Sequence, residues 1–195
     1  MAAGDIILKY MPQCNDGILR SSLHNPFNIF VFMSGVSVRV AHRLSRVNAG
    51  KLREGARNAV SALGYADWSV DILLSGDFRL RRLNRDFRGV DATTDVLSFP
   101  HREAVSPGLL RIDQDGFDAL DEPELKSLGD IVVSVPYVER WCAMRSSTTT
   151  VDTRLQELVV HGICHLVGYT HDTEEAFREM RAAERLILGY EIEYR

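Results

Sequence analysis

The sequence predicts a single α+β domain in which a small mixed β-sheet packs against helices. Short runs rich in Val, Ile and Leu alternate with longer segments whose apolar residues recur at helical intervals, without the strict strand-helix-strand repeat of a parallel sheet. The chain has 195 residues, 45% of them hydrophobic and 26% charged, as in an ordinary globular domain with a sizeable core. We place this domain at residues 36–195 and treat residues 1–35 as an N-terminal extension.

The first half of the domain is predicted to contain three strands and two helices. In the first helix Leu52 and Val60 belong to an apolar set at helical spacing, which closes at Gly64. The second helix follows Asp77, a residue type that caps helix N-termini. The strands are short β-branched or alternating runs, and Pro100 stops the third of them. The predicted order is strand 36–40, helix 48–63, strand 68–75, helix 78–88 and strand 93–99.

The second half begins with a segment rich in Asp, Glu, Gly and Pro, which predicts a surface loop over residues 101–126 with a short hairpin at 109–112. Pro136 suits the first turn of a helix. Thr173 is a good N-terminal signal for the last helix, whose apolar positions include Met180. The predicted order is strand 129–135, helix 136–144, helix 150–167 and helix 173–188.

Charge and cysteine content exclude several classes of protein. A net charge of -4 excludes a protein that coats nucleic acid through a global positive field, so any such contact must come from a local patch. Cys14, Cys142 and Cys164 are far apart and form no C-x-x-C pair, so neither a disulfide framework nor a cysteine zinc knuckle is predicted. No apolar run approaches the length of a membrane span, so we expect no membrane partner.

The N-terminal extension has two interpretations. The first fifty-odd residues carry many Lys and Arg residues against only Asp5 and Asp16, and they contain several Ser, a bias typical of organellar transit peptides. A poorly ordered tail without a targeting signal can have the same composition. The first interpretation predicts a mitochondrial or other organelle matrix location, and the second leaves a cytoplasmic one.

The strongest chemical signal is the segment His161-Gly-Ile-Cys-His165-Leu-Val-Gly-Tyr-Thr-His171. Residues four apart on an α-helix share a face, so His161 and His165 can offer two imidazole nitrogens to one ion. Gly168 can end the helix in a left-handed conformation and turn His171 back towards that ion. Three nitrogen ligands and a position left to water are typical of catalytic zinc. We therefore predict one Zn²⁺ per chain, on a C-terminal helix and the turn that follows.

Two other interpretations of these residues remain. A histidine pair at helical spacing is often coincidence or packing, and three histidines can form a satisfied core cluster. The helix is otherwise apolar, however, and buried imidazoles need partners, which a shared metal supplies. Cys164 is a further candidate ligand because thiolates bind zinc well, although a lone buried cysteine usually acts as a small hydrophobe.

The predicted helix over residues 78–88 is amphipathic and has a basic face. Arg82 and Arg85 lie on it as candidate contacts to a phosphate backbone, although a solvated charged surface explains them as well. Arg88 differs because it ends the helix, before Gly89 and a polar segment suited to a hydrogen-bonded turn. A guanidinium held there can bind a phosphate through two hydrogen bonds and stabilise charge in a transition state, so we predict that Arg88 is catalytic.

Four motifs in this order resemble the YbeY family of metal-dependent endoribonucleases, which act in ribosomal RNA maturation. They are Asn84-Arg-Asp-Phe-Arg88, Thr94-Asp-Val-Leu-Ser-Phe-Pro100, Leu128-Gly-Asp-Ile-Val-Val-Ser134 and the histidine segment. The resemblance implies zinc on His161, His165 and His171, with Arg88 lining the cleft. It implies single-stranded RNA, in particular ribosomal RNA, as substrate. It also implies small-subunit ribosomal RNA processing and ribosome quality control, with small-subunit ribosomal proteins as candidate partners.

The sequence departs from the usual bacterial pattern of that family at two positions. Cys164 stands where Leu is usual, and Thr170 stands where Asp is usual just before the last ligand. Neither change removes a ligand, but Thr170 lacks the carboxylate that would orient an imidazole. Together with the N-terminal extension, these departures resemble a eukaryotic or organellar member.

Two further functions compete with RNA cleavage. The histidine spacing also matches the metzincin proteases, in which a Glu beside the first histidine is the general base. Gly162 occupies that position and has no group that can take a proton, which argues against a metallopeptidase. The other alternative is a non-catalytic ribosome assembly factor that uses zinc for stability.

Overall fold

The structure is a computed structural model that describes residues 35–41, 47–111, 126–145 and 149–193. Apart from Gly35, the predicted N-terminal extension lies outside the described residues, as do residues 112–125 of the predicted surface loop. The described residues form an α+β domain with a four-stranded mixed sheet, which confirms the predicted fold class. Within these ranges no helix has the length and apolar composition needed to cross a bilayer.

The described part of the chain contains six strands and five helices, and most of them begin and end close to their predicted positions. In chain order they are β1 (Val36–Val40), α1 (Ala49–Ala62), β2 (Ser69–Ser75), α2 (Asp77–Arg88), β3 (Val96–Pro100), β4 (Ala104–Ser106), β5 (Leu109–Leu110), β6 (Ser127–Ser134), α3 (Val135–Met144), α4 (Val151–Leu166) and α5 (Glu174–Leu188).

The main sheet has the strand order β1-β2-β6-β3. Strands β1, β2 and β6 are parallel, and β3 pairs antiparallel with β6, so that Val96 lies opposite Val133. Strands β4 and β5 form a separate small hairpin. Strand β3 is therefore an edge strand, and α4 contacts both β3 and β6.

The two faces of the sheet bury different helices. Alternate residues of β2, such as Ile72 and Leu74, join the main core with apolar residues of α1 and α4. Leu73 points to the opposite face, where it belongs to a smaller cluster with Leu80 of α2. Helix α2 thus lies on the face opposite to α1 and α4, and its last residue, Arg88, comes before the loop that leads to the edge strand β3.

The start of β3 differs from its prediction because Asp95 interrupts the extended run. Strand β3 begins at Val96 rather than at Thr93. The Asp95 carboxylate accepts the backbone N–H of Val96 (3.1 Å) and the hydroxyl hydrogen of Thr94 (3.1 Å). These local bonds compete with strand pairing and turn the segment before β3 into a structured loop.

The prediction that Asp77 caps α2 is wrong. The N-cap is Gly76, which has no side-chain capping bond, and Asp77 is the first helical residue. Its carboxylate instead accepts the hydroxyl hydrogen of Ser134 (2.5 Å) and pairs with Arg140 of α3 (2.7 Å). Asp77 therefore connects the N-termini of α2 and α3.

Gly129 allows β3 and β6 to approach closely where it pairs with Pro100. Its φ of +139° is one that L side chains rarely adopt, and a Cβ there would lie 2.2 Å from the carbonyl oxygen of Phe99. We expect Gly129→Ala to lower the free energy of unfolding by about 2–3 kcal/mol, measured by urea denaturation. Gly64→Ala is the control, because its φ is also positive (+89°) but no atom lies within 4 Å of the added carbon, so it should cost about 1 kcal/mol. Equal losses would show that the contact with Phe99 is not decisive.

Candidate metal centre

Helix α4 presents His161 and His165 on one face, and the chain then turns back to bring in His171. The helix begins at Val151 and is capped by Thr150, whose Oγ1 accepts the N–H of Thr153 (3.1 Å). It ends at Leu166, and Gly168 follows with a φ of +91°. That left-handed residue reverses the chain as predicted.

The three histidines form a compact cluster. One nitrogen from each of His161, His165 and His171 lies within 4.8 Å of the others. The ring centroids of His161 and His165 are 4.5 Å apart, and the His161 and His171 rings are stacked with centroids 5.5 Å apart. Within the described residues this is the one group of three or more His, Cys, Asp or Glu side chains that could hold a metal ion.

Hydrogen bonds outside the cluster fix which ring nitrogens face its centre. The Nδ1–H of His161 donates to Oε1 of Glu184 (2.7 Å), and the Nδ1–H of His165 donates to the carbonyl oxygen of Tyr169 (2.9 Å). Both partners can only accept, so in the neutral imidazoles each Nε2 carries a lone pair. These two Nε2 atoms face each other at 3.0 Å. Two lone pairs so close repel unless a cation lies between them, and a metal ion fits that requirement.

The third histidine completes the set. The Nε2 of His171 is buried and has no hydrogen-bond partner in the described part of the chain. A buried ring nitrogen without a hydrogen-bond partner is costly in a protein unless something binds it. Three neutral imidazoles converging on one point are a donor set that suits zinc and leaves a position open.

Burial keeps the cluster in its metal-binding form. It is the main cause that lowers the pKa of His161 to about 3, with His171 and Arg154 adding to the effect and Asp95 opposing it. Burial is also the main cause that lowers the pKa of His165 well below 6.5. The imidazoles are therefore neutral near pH 7, and a neutral imidazole is the form that binds a metal ion.

Cys164 is not part of the cluster. Its side chain is buried in the main hydrophobic core, and burial raises the pKa of its thiol. The thiol therefore acts as a small hydrophobe, as the alternative interpretation expected. Although Thr170 has no carboxylate, the centre still has one, because Glu184 on helix α5 orients His161.

Arg88 is the last residue of α2, and its charge reaches the histidines. After burial, the positive charge of Arg88 is one of the causes that lower the pKa of His165 and of His171. The loop that follows is held by Asn84, whose side-chain amide donates to the carbonyl oxygen of Ala92 (2.8 Å), and by an ion pair with two hydrogen bonds between Arg81 and Asp91 (2.8 and 2.7 Å). These bonds tie the loop after Arg88 back to helix α2.

Arg82 and Arg85, the other two predicted site residues, lie outside the cluster on the exposed side of α2. Their side chains are 61% and 55% exposed, and both pair with Asp86 (3.5 and 3.0 Å). The structure does not bring them to the histidines, so their assignment to RNA binding stays a prediction.

Sequence reasoning missed a second layer of polar groups behind the metal centre. Besides Glu184 it contains Arg154, which is buried, pairs with Glu157 (3.0 Å) and lies 4.0 Å from Asp95. The ring of Trp141 covers its guanidinium, with 4.3 Å between the ring centroid and Cζ. The signal was the spacing of charged residues on an apolar helix, since positions 154, 157 and 161 share a face of α4.

Glu184→Gln is expected to weaken zinc binding about 10- to 100-fold, because an amide holds the His161 ring less firmly than a carboxylate. The change keeps the size of a side chain that is 1% exposed, so the fold should persist. Competition with a chromogenic chelator measures the affinity. Glu179→Gln, at an exposed position of the same helix, is the matched control. Unchanged affinity in Glu184→Gln would exclude the orienting role.

Comparison with known proteins agrees with the resemblance of the four motifs. Residues 41–190 match the sequence model of the family described as Endoribonuclease YbeY. A curated Endoribonuclease YbeY of Anaeromyxobacter is 38% identical over 143 residues, which are 73% of this chain and 65% of that protein. One of Thermus thermophilus is 35% identical over 139 residues, 71% of this chain and 88% of that protein. The chain thus spans less than two thirds of the first relative and most of the second.

A solved structure can also be aligned with the chain. The solution structure of a Thermotoga maritima protein covers 79% of this chain and 89% of its own, with 24% identity and a TM-score of 0.45. The assignment itself rests on the family match and on the curated relatives. The chain belongs to the Endoribonuclease YbeY family.

Proposed function

We propose that the chain is a zinc-dependent, single-strand-specific endoribonuclease that acts in ribosomal RNA maturation. The observation that carries the proposal is the pair of Nε2 atoms of His161 and His165, which face each other at 3.0 Å, with the unpaired Nε2 of His171 beside them. Family membership supports RNA as the substrate. Arg88, whose charge contributes to the lowered pKa of His165, would supply the positive charge that a phosphodiester substrate requires.

The residues of the chain divide the work between them. His161, His165 and His171 would hold the zinc, which when bound supplies a water of lowered pKa or polarises a phosphoryl oxygen. Glu184 orients His161, and Arg88 binds the phosphate and offsets charge that develops on it. The attacking oxygen is either that of water or the RNA 2′-hydroxyl, and a single 2′-deoxyribose at the cleaved position separates the two routes.

Gly162 supports phosphodiester rather than peptide cleavage. A Cβ at this buried position would lie 3.0 Å from both Oγ of Ser98 and Cδ1 of Ile131. The residue after the first ligand therefore faces the sheet, and it offers no carboxylate to accept a proton from water. A metallopeptidase of the metzincin type needs that carboxylate.

The test uses the purified full-length chain. We expect about one zinc per chain by elemental analysis, and cleavage of a single-stranded ribosomal RNA fragment but not of the same fragment annealed to its complement. Chelation should abolish cleavage, and added zinc should restore it. Full activity after metal removal would reveal a contaminating nuclease. A folded, zinc-loaded protein without cleavage would favour the non-catalytic assembly factor.

The setting of the reaction is part of the proposal. The basic, Ser-containing N-terminus favours a mitochondrial or other organelle matrix, where the partners would be ribosomal RNA and small-subunit ribosomal proteins. Fusion of residues 1–53 to a fluorescent protein tests the location, and cross-linking followed by RNA sequencing tests the partner. A fusion that stays in the cytoplasm would contradict the matrix location.

A further inference from the structure

The outer surface of α2 carries an aromatic side chain in line with arginines. Phe78 is 82% exposed, and the side chains of Arg81, Arg82 and Arg85 are 57%, 61% and 55% exposed. Positions 78, 81, 82 and 85 follow the spacing of residues that share one side of a helix. We call these four residues the outer face of α2.

The orientation of this face is fixed by the opposite side of the helix. Leu80 is fully buried, and Leu83 and Phe87 pack with it against the sheet. The Phe87 ring meets Phe99 of β3 edge to face, with 5.3 Å between the centroids. Helix α2 therefore cannot rotate to bury Phe78 without losing this cluster.

The outer face ends near the strand that contacts the histidine helix. Helix α2 ends at Arg88, the neighbouring Phe87 packs against Phe99 of the edge strand β3, and α4 contacts β3. Phe78 lies ten residues earlier, which corresponds to about 15 Å along the helix axis. A strand that enters the centre beside Arg88 can thus continue along the arginines and reach Phe78 after a few nucleotides.

The charges along the face suit a phosphate backbone. Arg82 and Arg85 share one carboxylate, that of Asp86, and Arg81 pairs with Asp91. Exposed ion pairs of this kind contribute little, so phosphates can compete for the guanidinium groups. The acidic group next to Phe78, Asp77, is already paired with Arg140 (2.7 Å), so its negative charge is offset at that end.

We propose that the outer face of α2 binds the RNA strand on one side of the cleaved bond, with the arginines contacting phosphates and Phe78 stacking on an unpaired base. The inference rests on the proposed function, because it assigns this surface to the same substrate. Every base offers a π-face, so stacking tolerates any sequence but requires that the base be unpaired. Phe78 therefore contributes to the preference for single strands.

The test compares variants by KM, kcat and the affinity for an end-labelled strand, read from fluorescence anisotropy before cleavage begins. Phe78→Ala should raise KM and weaken binding about tenfold, with kcat unchanged, and Phe78→Tyr should behave as the unmodified protein. Leu186→Ala is the control, since Leu186 is 78% exposed on α5. Arg82→Ala and Arg85→Ala should each lower the salt dependence of binding by about 0.7 in log–log slope. Arg57→Ala, at an exposed position of α1 on the opposite layer, should leave it unchanged.

An abasic nucleotide, moved one position at a time away from the cleaved bond, locates the stacked base. At one position the abasic RNA should bind the unmodified protein as weakly as intact RNA binds Phe78→Ala. At that same position the abasic change should not weaken binding to Phe78→Ala any further. RNA binding that is unchanged in Phe78→Ala and in Arg82→Ala with Arg85→Ala would overturn the inference. The proposed function would survive that result, since it fails only if the unmodified, zinc-loaded chain does not cleave.

Discussion

Replacing Arg88 with alanine is expected to lower kcat for RNA cleavage about 100- to 1,000-fold, the usual effect of removing a charge-stabilising donor from an active site. Arg88 is not among the residues that can hold the metal ion, and zinc content should therefore not change. Its charge nonetheless contributes, after burial and other groups, to the lowered pKa of His165 and His171, which agrees with a position near the centre. Single-turnover cleavage and elemental analysis of the same preparation measure the two quantities.

Arg88→Lys refines the result. Lysine keeps the positive charge but lacks the planar fork that binds two phosphate oxygens, so its rate should fall between those of the unmodified protein and Arg88→Ala. The exposed Arg57 of α1, replaced by alanine, serves as the matched control for loss of a surface charge. Parallel loss of zinc and cleavage in Arg88→Ala would mean that Arg88 supports the fold of the centre rather than the reaction.

The ends of the helices could be predicted because their signals are local. Thr173 accepts the N–H of Ala176 (3.1 Å) as an N-cap, and Gly189 ends α5 with a φ of +79°. Asp77 misled the prediction because its carboxylate is bound by Ser134 and Arg140, which are more than fifty residues away in sequence. The sequence pattern of a helix does not show that one of its side chains binds residues so distant in sequence.

The order of the strands could not be predicted. Strand β6 inserts between β2 and β3, so that Ile72 pairs with Ile131 and Val96 with Val133. Each strand has an apolar run that fits several neighbours, and the choice among them depends on tertiary packing. The reversed direction of β3, which places Asp95 near Arg154 and the histidines, is a result of that packing.

The histidine cluster could be predicted from the sequence, but the carboxylate of Glu184 that orients His161 could not. His161 and His165 are one helical turn apart, so their common face follows from geometry alone. Glu184 is on α5, 23 residues beyond His161. Its one sequence signal was its place among the apolar positions of that helix, beside Ala183 and near Met180, where a carboxylate requires a buried partner.

Replacing His161 with alanine is expected to remove bound zinc and cleavage and to destabilise the fold as well. Glu184 is 1% exposed, and its carboxylate would lose the Nδ1–H that it accepts at 2.7 Å. Removing the donor of a hydrogen bond to a buried carboxylate costs about 2–3 kcal/mol. Urea denaturation of the metal-free proteins measures this loss without any contribution from zinc. Lost activity in His161→Ala therefore has two causes that a cleavage assay cannot separate.

His171→Ala separates them. His171 is only half-buried, and in the described part of the chain no hydrogen-bond partner of its Nε2 would be left behind. Metal-free His171→Ala should unfold within about 1 kcal/mol of the metal-free unmodified protein, yet bind zinc weakly and cleave RNA at background rate. If it keeps full zinc affinity, the third ligand is not His171. If metal-free His161→Ala is as stable as metal-free His171→Ala, the bond to Glu184 does not stabilise the fold, and its role is confined to orienting the imidazole.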